Sequence, residues 1–261
     1  MIFLLNKQAD TSFRTGSGTL ESLPIELFTR ALDDVHQVIH TVAHDIPVDL
    51  FSILGMRNLS SLIGELFAKS LIQESDERYV GNPHQDGYPD LLLMDDEGQR
   101  LFDAIRERAG LRDKAPFSPF PNGGLEIKAT CGSVPTPKEC ARRGMEKPGM
   151  GDTRISFMRS YDWKAHHRDT NNLIGILWDF LDGTPHIVAV FFGNTLTEED
   201  WGKIVQPKEG GGRTTSVSIM SRAGVKTMYQ NWIAVLKDDR YIQFLNAYNR
   251  DTRIPLQAIS P

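Results

Sequence analysis

Asp90, Glu126 and Lys128 are the residues whose types and spacing could do chemistry. In "FPNGGLEIKATCG" (residues 120–132), Glu126 and Lys128 lie two apart in a run that otherwise reads Leu125, Ile127 and Ala129. Residues i and i+2 of a strand share a face, so a carboxylate and an ammonium would stand together on one side of a short apolar strand. Burying them there costs free energy unless they are paired or bind something. In "GNPHQDGYPDLLLMDDEG" (81–98), Asp90 follows Pro89 and opens the apolar run "LLLM"; proline is tolerated at the start of a strand. If the two strands are neighbours, Asp90 and Glu126 converge. Two hard carboxylates at one point suit Mg²⁺, which keeps room for water and phosphate oxygens. Lys128 beside them can orient or deprotonate a water and offset charge on a phosphate. Asp86, Asp95 and Asp96 are the acids that compete with Asp90 for this role.

The elements that must position these residues follow from patterning. Residues 11–24 read as a loop. Phe28, Leu32, Val35, Ile39 and Val42 recur at helical spacing over 25–45, with Pro47 beyond the end. His36, His40 and His44 fall on the opposite face, which reads as solvated. A second helix spans 59–74, capped by Ser60 or Ser61, with Leu62, Ile63, Leu66, Phe67 and Leu71 as its buried stripe. Then come the strand "DLLLM", a turn at "DDEG", and a helix "QRLFDAIRERAG" stopped by Gly110. A Pro/Gly loop leads into the strand "LEIKAT". Two apolar strands flank Asp182-Gly183, a hairpin signal. "TEEDWGKI" reads as a short helix, "EGGGR" as a flexible tip, "TTSVSIM" as a strand, and about 221–250 as a mainly helical C-terminal region. No internal repeat or linker divides the chain. The expected fold is a single α/β (α+β) domain over 1–261, with helices on both sides of a strand-rich middle.

Bulk composition excludes several classes. The chain has 261 residues with 40% hydrophobic and 24% charged residues, enough for a sizeable core. Net charge is −5, so no global positive field attracts nucleic acid. The charge is unevenly spread, however. Residues 138–168 hold eight Lys or Arg against four Asp or Glu, leaving −9 for the rest. Cys131 and Cys140 are too few for a disulfide scaffold and have no zinc-ligand spacing. They read as free thiols in a reducing, cytoplasmic setting. "MIFLLNK" is short for a signal peptide, and no run has the length to span a bilayer.

"PD" at 89–90 with "EIK" at 126–128 resembles the PD-(D/E)xK nuclease signature, and the wider context resembles a type II restriction endonuclease of that superfamily. The resemblance covers roughly 58–193 as a pattern of elements; the C-terminal third lies outside it. It implies a restriction-endonuclease-like central mixed β-sheet flanked by helices. It also implies Mg²⁺-dependent hydrolysis of phosphodiester bonds in double-stranded DNA at a specific short sequence, usually by a homodimer. Asp90 and Glu126 would be metal ligands, joined by the Ile127 backbone carbonyl, and Lys128 would position the attacking water. Glu65 is the position that fits the additional acid many members carry on a preceding helix, although by itself it reads as a solvent-facing residue. The chain departs from the simplest members in the 35 residues between Asp90 and Glu126, which require the helix at 99–109 as an insertion.

A nuclease must hold a duplex by its phosphates and read its base edges. The polar, basic segment 131–171 is the candidate. Arg142, Arg143 and Arg154 have the geometry to read guanine, and Lys138 and Lys147 to contact phosphates. Lys164, His166, His167 and Arg168 precede a strand and would sit near the sheet edge. Lys208 and Arg213 flank three glycines that suggest a second arm. Three other functions fit the same residues. One is a repair or modification-dependent nuclease of the same superfamily. Another is a non-catalytic DNA-binding module on the same fold. The last is a structural protein in which Glu126 and Lys128 are an exposed strand pair.

Overall fold

The computed structural model describes residues 1–108, 110–168, 170–207 and 216–249. Its centre is a seven-stranded mixed sheet. The strands along the chain are β1 (Phe3–Leu5), the small hairpin β2 (Ser12–Arg14) and β3 (Leu20–Ser22), then β4 (Tyr79–Gly81), β5 (Leu91–Leu93) and β6 (Gly124–Thr130). After them come β7 (Lys164–Ala165), β8 (Leu173–Leu181), β9 (Thr184–Gly193), β10 (Ser218–Ile219) and β11 (Trp232–Leu236). The helices are α1 (Ile25–His44), α2 (Leu50–Ile53), α3 (Met56–Glu74), α4 (Asp96–Arg108), α5 (Pro137–Arg142), α6 (Arg222–Gln230) and α7 (Asp239–Tyr248). The main sheet runs β1-β11-β9-β8-β6-β5-β4. Every neighbouring pair is antiparallel except β6 and β8.

That one parallel pair shapes the molecule. Antiparallel strands can be joined by tight turns, as β8 and β9 are at Asp182-Gly183, both with positive φ. Parallel strands need a crossover of a dozen or more residues. The crossover here is the basic, irregular segment between β6 and β8, which contains α5 and β7.

One face of the sheet is covered by α1 and α3, with Phe28, Ile63 and Phe67 over Leu125, Ile127, Ile174 and Ile176. Each such side chain contributes roughly 1.5–3 kcal/mol by leaving water. The other face carries two separate apolar clusters. The larger joins Tyr161 and Trp163 of the crossover with Leu177, Phe191, Met228 and Tyr241. The smaller holds Leu92, Ile105, Phe117 and Phe120 beneath α4. Glu126 and Lys128 alternate with the first-face residues Leu125 and Ile127, so they emerge on the second face.

Two contacts pin the crossover. Trp163 donates its indole N–H to the Ile176 carbonyl at 3.1 Å and lies over Gly175, where a Cβ would come within 2.7 Å of the indole. Asp179, fully buried, accepts hydrogen bonds from the backbone N–H groups of Arg154 (2.8 Å), Ile155 (2.9 Å) and Phe180 (2.8 Å) and from the Tyr241 hydroxyl (3.1 Å). It thereby caps the 3₁₀ turn Ile155–Phe157 from another strand.

Several elements differ from expectation. The helical region at 221–250 contains β11, "WIAVL", buried at every position between β9 and β1. A five-residue apolar run between two helices carries no period of its own. "FLL" at the start of the chain forms β1 against β11, and the loop 11–24 contains the β2–β3 hairpin. "DDEG" is the start of α4, where Asp95 accepts the Gly98 N–H at 2.7 Å. α3 begins at Met56 after Gly55, so Ser60 and Ser61 lie inside it and cap nothing. His36 is not on a solvated face: it stacks on Phe3 at 5.6 Å and lies 5.4 Å from His186. The expected helix at "TEEDWGKI" is a single 3₁₀ turn, Glu198–Asp200. Of "TTSVSIM", Ser218–Ile219 pairs with β7, and Val217 and Met220 form single bridges to Val205 and Trp201; Thr214, Thr215, "EGGGR", Lys208 and Arg213 lie outside the described residues.

Asp179→Ala would strand three backbone donors and a buried hydroxyl. It should destabilise the fold by about 3 kcal/mol or more, since each lost charged hydrogen bond or orphaned donor costs on the order of 1–3 kcal/mol. Denaturant unfolding of the variant beside the parent chain measures this.

Candidate active site

The site grows from the place where the β5–β6 ladder stops. Leu91 pairs with Leu125 and Leu92 with Gly124, so the register sets Asp90 opposite Glu126 on the second face. Gly124 permits the close approach, since a Cβ there would collide with the Leu91 carbonyl. The next ladder partner of Ile127 would be Pro89, which has no N–H to give, and the Pro89 carbonyl is already taken by the Asn82 side-chain amide at 2.9 Å. Asp90 replaces the missing rung: its Oδ2 accepts the Ile127 N–H at 2.8 Å. In return, Glu126 Oε2 accepts the Asp90 N–H at 3.1 Å. The Ile127 carbonyl leaves the strand on the same side as its N–H and so faces the opening beyond Asp90.

Lys128 closes the constellation. Its Nζ lies 2.5 Å from Glu126 Oε1 and 3.1 Å from Asp90 Oδ2. Glu126 is buried, whereas Asp90 and Lys128 are half-buried. Burial, the largest influence, pushes the Glu126 carboxyl up from an ordinary 4.5 to about 7; the Lys128 ammonium opposes this and Asp90 adds to it. Burial also disfavours charge on Lys128, but the two carboxylates outweigh it and raise the lysine's pKa.

These residues stand beside a cavity of about 980 Å³. Asp90, Ile127 and Lys128 form part of its wall, α3 another, and Lys164 and His166 of the crossover a third. A second chamber of about 520 Å³ shares Arg57, Ser60, Lys128 and Lys164 with the first and continues toward Gly132. Together they make a groove along β6, between α3 and the β7–β10 pair.

The donor set fits a hard divalent cation. Asp90 and Glu126 meet at Lys128 Nζ; both Glu126 oxygens are engaged there, by Lys128 and by the Asp90 N–H, whereas Asp90 Oδ1 has no hydrogen bond among the described residues. The single Lys128 ammonium offsets only part of the charge of the two carboxylates. Mg²⁺ requires only one or two carboxylates and keeps several waters. No group of three or more His, Cys, Asp or Glu able to hold a metal occurs among the described residues, which rules out an all-side-chain cage there.

The other expected site residues are scattered. Glu65, exposed on α3, lines the larger cavity. Lys164 lines both chambers, and it is His166 rather than His167 that reaches the cavity, its Nδ1 3.0 Å from the Ser216 carbonyl. His167 instead faces the Tyr88 ring at 5.7 Å. Lys138, Arg142 and Arg143 are exposed on or beside α5 and Lys147 just beyond it, and none of them lines either chamber. Arg154 is a correction. It is buried, its Nε donating to the Cys131 carbonyl at 3.3 Å, so it braces the crossover and presents no fork to a base. Arg168 is tied to Glu198, through the carbonyl at 2.9 Å and the carboxylate at 3.4 Å. The α3 residues Arg57 and Lys69, which line the cavity, were missed. Their signal was a row of small residues, Ser60, Ser61, Gly64 and Ala68, on a helix whose opposite face is apolar.

Comparison of the chain with protein-family models, curated proteins and solved structures gives no match. No helix among the described residues is long and apolar enough to cross a membrane.

Because the folded-state pKa of Glu126 lies above its ordinary 4.5, the folded chain holds this proton more tightly than the unfolded chain. The stability it contributes is whole below about 4.5 and is lost as pH rises through about 7. Unfolding free energy of the metal-free chain should therefore carry a falling component across that interval, and Glu126→Gln should remove it. Denaturant titrations at several pH values would measure both; an unchanged slope in the variant would place the titrating group elsewhere.

Proposed function

We propose that the chain is a Mg²⁺-dependent endodeoxyribonuclease of the PD-(D/E)xK type. The observation that carries this is the meeting of Asp90 and Glu126 at Lys128 Nζ, at the wall of an open groove. A structural ion pair would need neither a stalled ladder nor a cavity beside it. The restriction-endonuclease-like fold belongs to the same proposal. It is supported by the central mixed sheet with helices on both faces and by the placement of both half-motifs at adjacent strands.

Asp90, Glu126 and the Ile127 carbonyl would hold the metal, which supplies charge neutralisation at the phosphate and a more acidic bound water. Lys128 reaches the same point from β6, where its ammonium donates to the attacking water and to a phosphate oxygen. The water displaces the 3′ oxygen in line and leaves a 5′-phosphate. Lys164 and His166 on one wall, with Arg57 and Lys69 on the other, would hold flanking phosphates. The acidic remainder of the chain confines attraction to the groove, so binding should be steeply salt-dependent. A type II restriction enzyme working in the cytoplasm as a homodimer on a short site is the specific form proposed.

Incubating the full chain with a large mapped duplex should give discrete fragments with Mg²⁺ and none with EDTA. Lys128→Ala and Asp90→Asn should slow cutting by about 100-fold or more while retaining DNA binding in Ca²⁺. A gel shift without cutting under any metal would support the binding-module function, and neither shift nor cutting would remove DNA as the partner.

A further inference from the structure

The second chamber contains a carboxylate that the proposed hydrolysis does not use. Asp162 lines it, together with Met56, Trp163, Val217, Arg57 and Lys164. It sits between two fully buried aromatic anchors. Tyr161 accepts a hydrogen bond from the Asn249 side-chain amide at 2.9 Å, and Trp163 is held to Ile176 through its indole and to Met220 through its carbonyl at 2.9 Å. The backbone on either side is therefore fixed, which directs the Asp162 side chain. Asp162 is itself half-buried, and its carboxylate has no hydrogen bond or ion pair among the described residues. Burial raises its pKa, with Lys164 opposing.

This is a poor place for an acid if the groove only tracks phosphates. A carboxylate among Arg57, Lys128 and Lys164 repels the polyanion that those cations attract. It is favourable where a hydrogen-bond donor arrives, and the donors DNA offers are exocyclic amines on base edges, with Asp and Glu matched to cytosine N4. The surroundings suit the body of a base, since Met56, Trp163 and Val217 give the chamber apolar wall. Lys128 lines both chambers and Asp162 the second, so the chamber beside Lys128 is the place available to a nucleotide next to a phosphate cut there.

We propose that the second chamber binds the base next to the cut phosphate, and that Asp162 determines specificity there by accepting a hydrogen bond from an exocyclic amine, cytosine N4 or adenine N6. The inference rests on the nuclease function proposed above.

The test uses the full chain with Mg²⁺ and a mapped substrate. Amine-bearing bases flanking the cut are replaced, one position at a time, by analogues that lack only the amine. One position should slow cutting by about tenfold or more, the discrimination expected of one good base contact. In Asp162→Leu, which keeps the volume and removes the acceptor, that ratio should fall to near one. An amine dependence that survives in the variant would overturn the assignment. So would its absence at every position in the parent chain, which requires no variant to fold. Failure of the parent chain to cut any DNA would instead refute the nuclease function, and this inference with it.

Discussion

The structure around the site depends on a ladder rung made by a side chain. Pro89 has no N–H for the Ile127 carbonyl and its own carbonyl is taken by Asn82, so the β5–β6 pairing would stop at Leu91–Leu125 and leave the Ile127 amide unpaired in the sheet interior. Asp90 closes that gap with its own carboxylate, and Glu126 accepts the Asp90 amide in exchange. The Asp90 carboxylate is thus fixed by the Ile127 amide and the Glu126 carboxylate by the Asp90 amide, and Lys128 sets the charge balance. Such a cluster is not a cheap way to join two strands. Taking these ions partly out of water costs several kcal/mol each before their attraction repays it, and apolar residues could fill the same volume. The arrangement makes better physical sense as a preorganised anionic point whose ammonium occupies one side and whose other side opens to the groove.

The position of that point follows from the sheet. Apolar side chains cover the first face continuously, but the second face has two clusters with a gap between them. The groove opens beside β6 where β5 ends, with α3 of the first face as one wall and the crossover as the other. The parallel β6–β8 pair forces the chain to cross over this face, and the crossover brings Lys164 and His166 to the rim. Asp179 and Trp163 hold it there. A longer β5 would cover the carboxylates, and an antiparallel β8 would need no crossover and would leave the groove with one wall.

The carboxylates and the lysine were legible in the sequence because period-two spacing fixes a face without tertiary information: Glu126 and Lys128 must share one. That Asp90 opposes Glu126 needed only the two strands to be neighbours. The rest was hidden for physical reasons. β11 is an apolar run between helices and has neither alternation nor length to identify it. Arg154 reads like any other arginine in a basic loop, and only the partners Cys131 and Asp179, distant in sequence, reveal it as a brace. The groove face of α3 is marked by small residues, which a search for charge passes over. His36 lies on the polar side of α1 by periodicity, yet it packs against Phe3 because β1, unrecognised from sequence, lies beside it.

Charge distribution gives the groove its character. The residues 138–168 carry a net +4 within a chain of −5, but the cations of α5 line neither chamber, and Arg154 and Arg168 are committed to internal partners. Among the described residues the groove itself is served by a smaller set of Lys and Arg drawn from three elements: Arg57 and Lys69 of α3, Lys128 of β6, and Lys164 of the crossover. Counting charge along the chain therefore overstates what the crossover contributes and misses what the helix contributes. Within that small set each anionic group matters more. Asp90 and Glu126 are balanced by Lys128 at hydrogen-bond distance, whereas Asp162 has Lys164 only as a nearby opposing charge. An acid left in that condition, on a backbone clamped by Tyr161 and Trp163, is a fixed acceptor, and under the function proposed above only the donor groups of an arriving nucleic acid would approach it favourably.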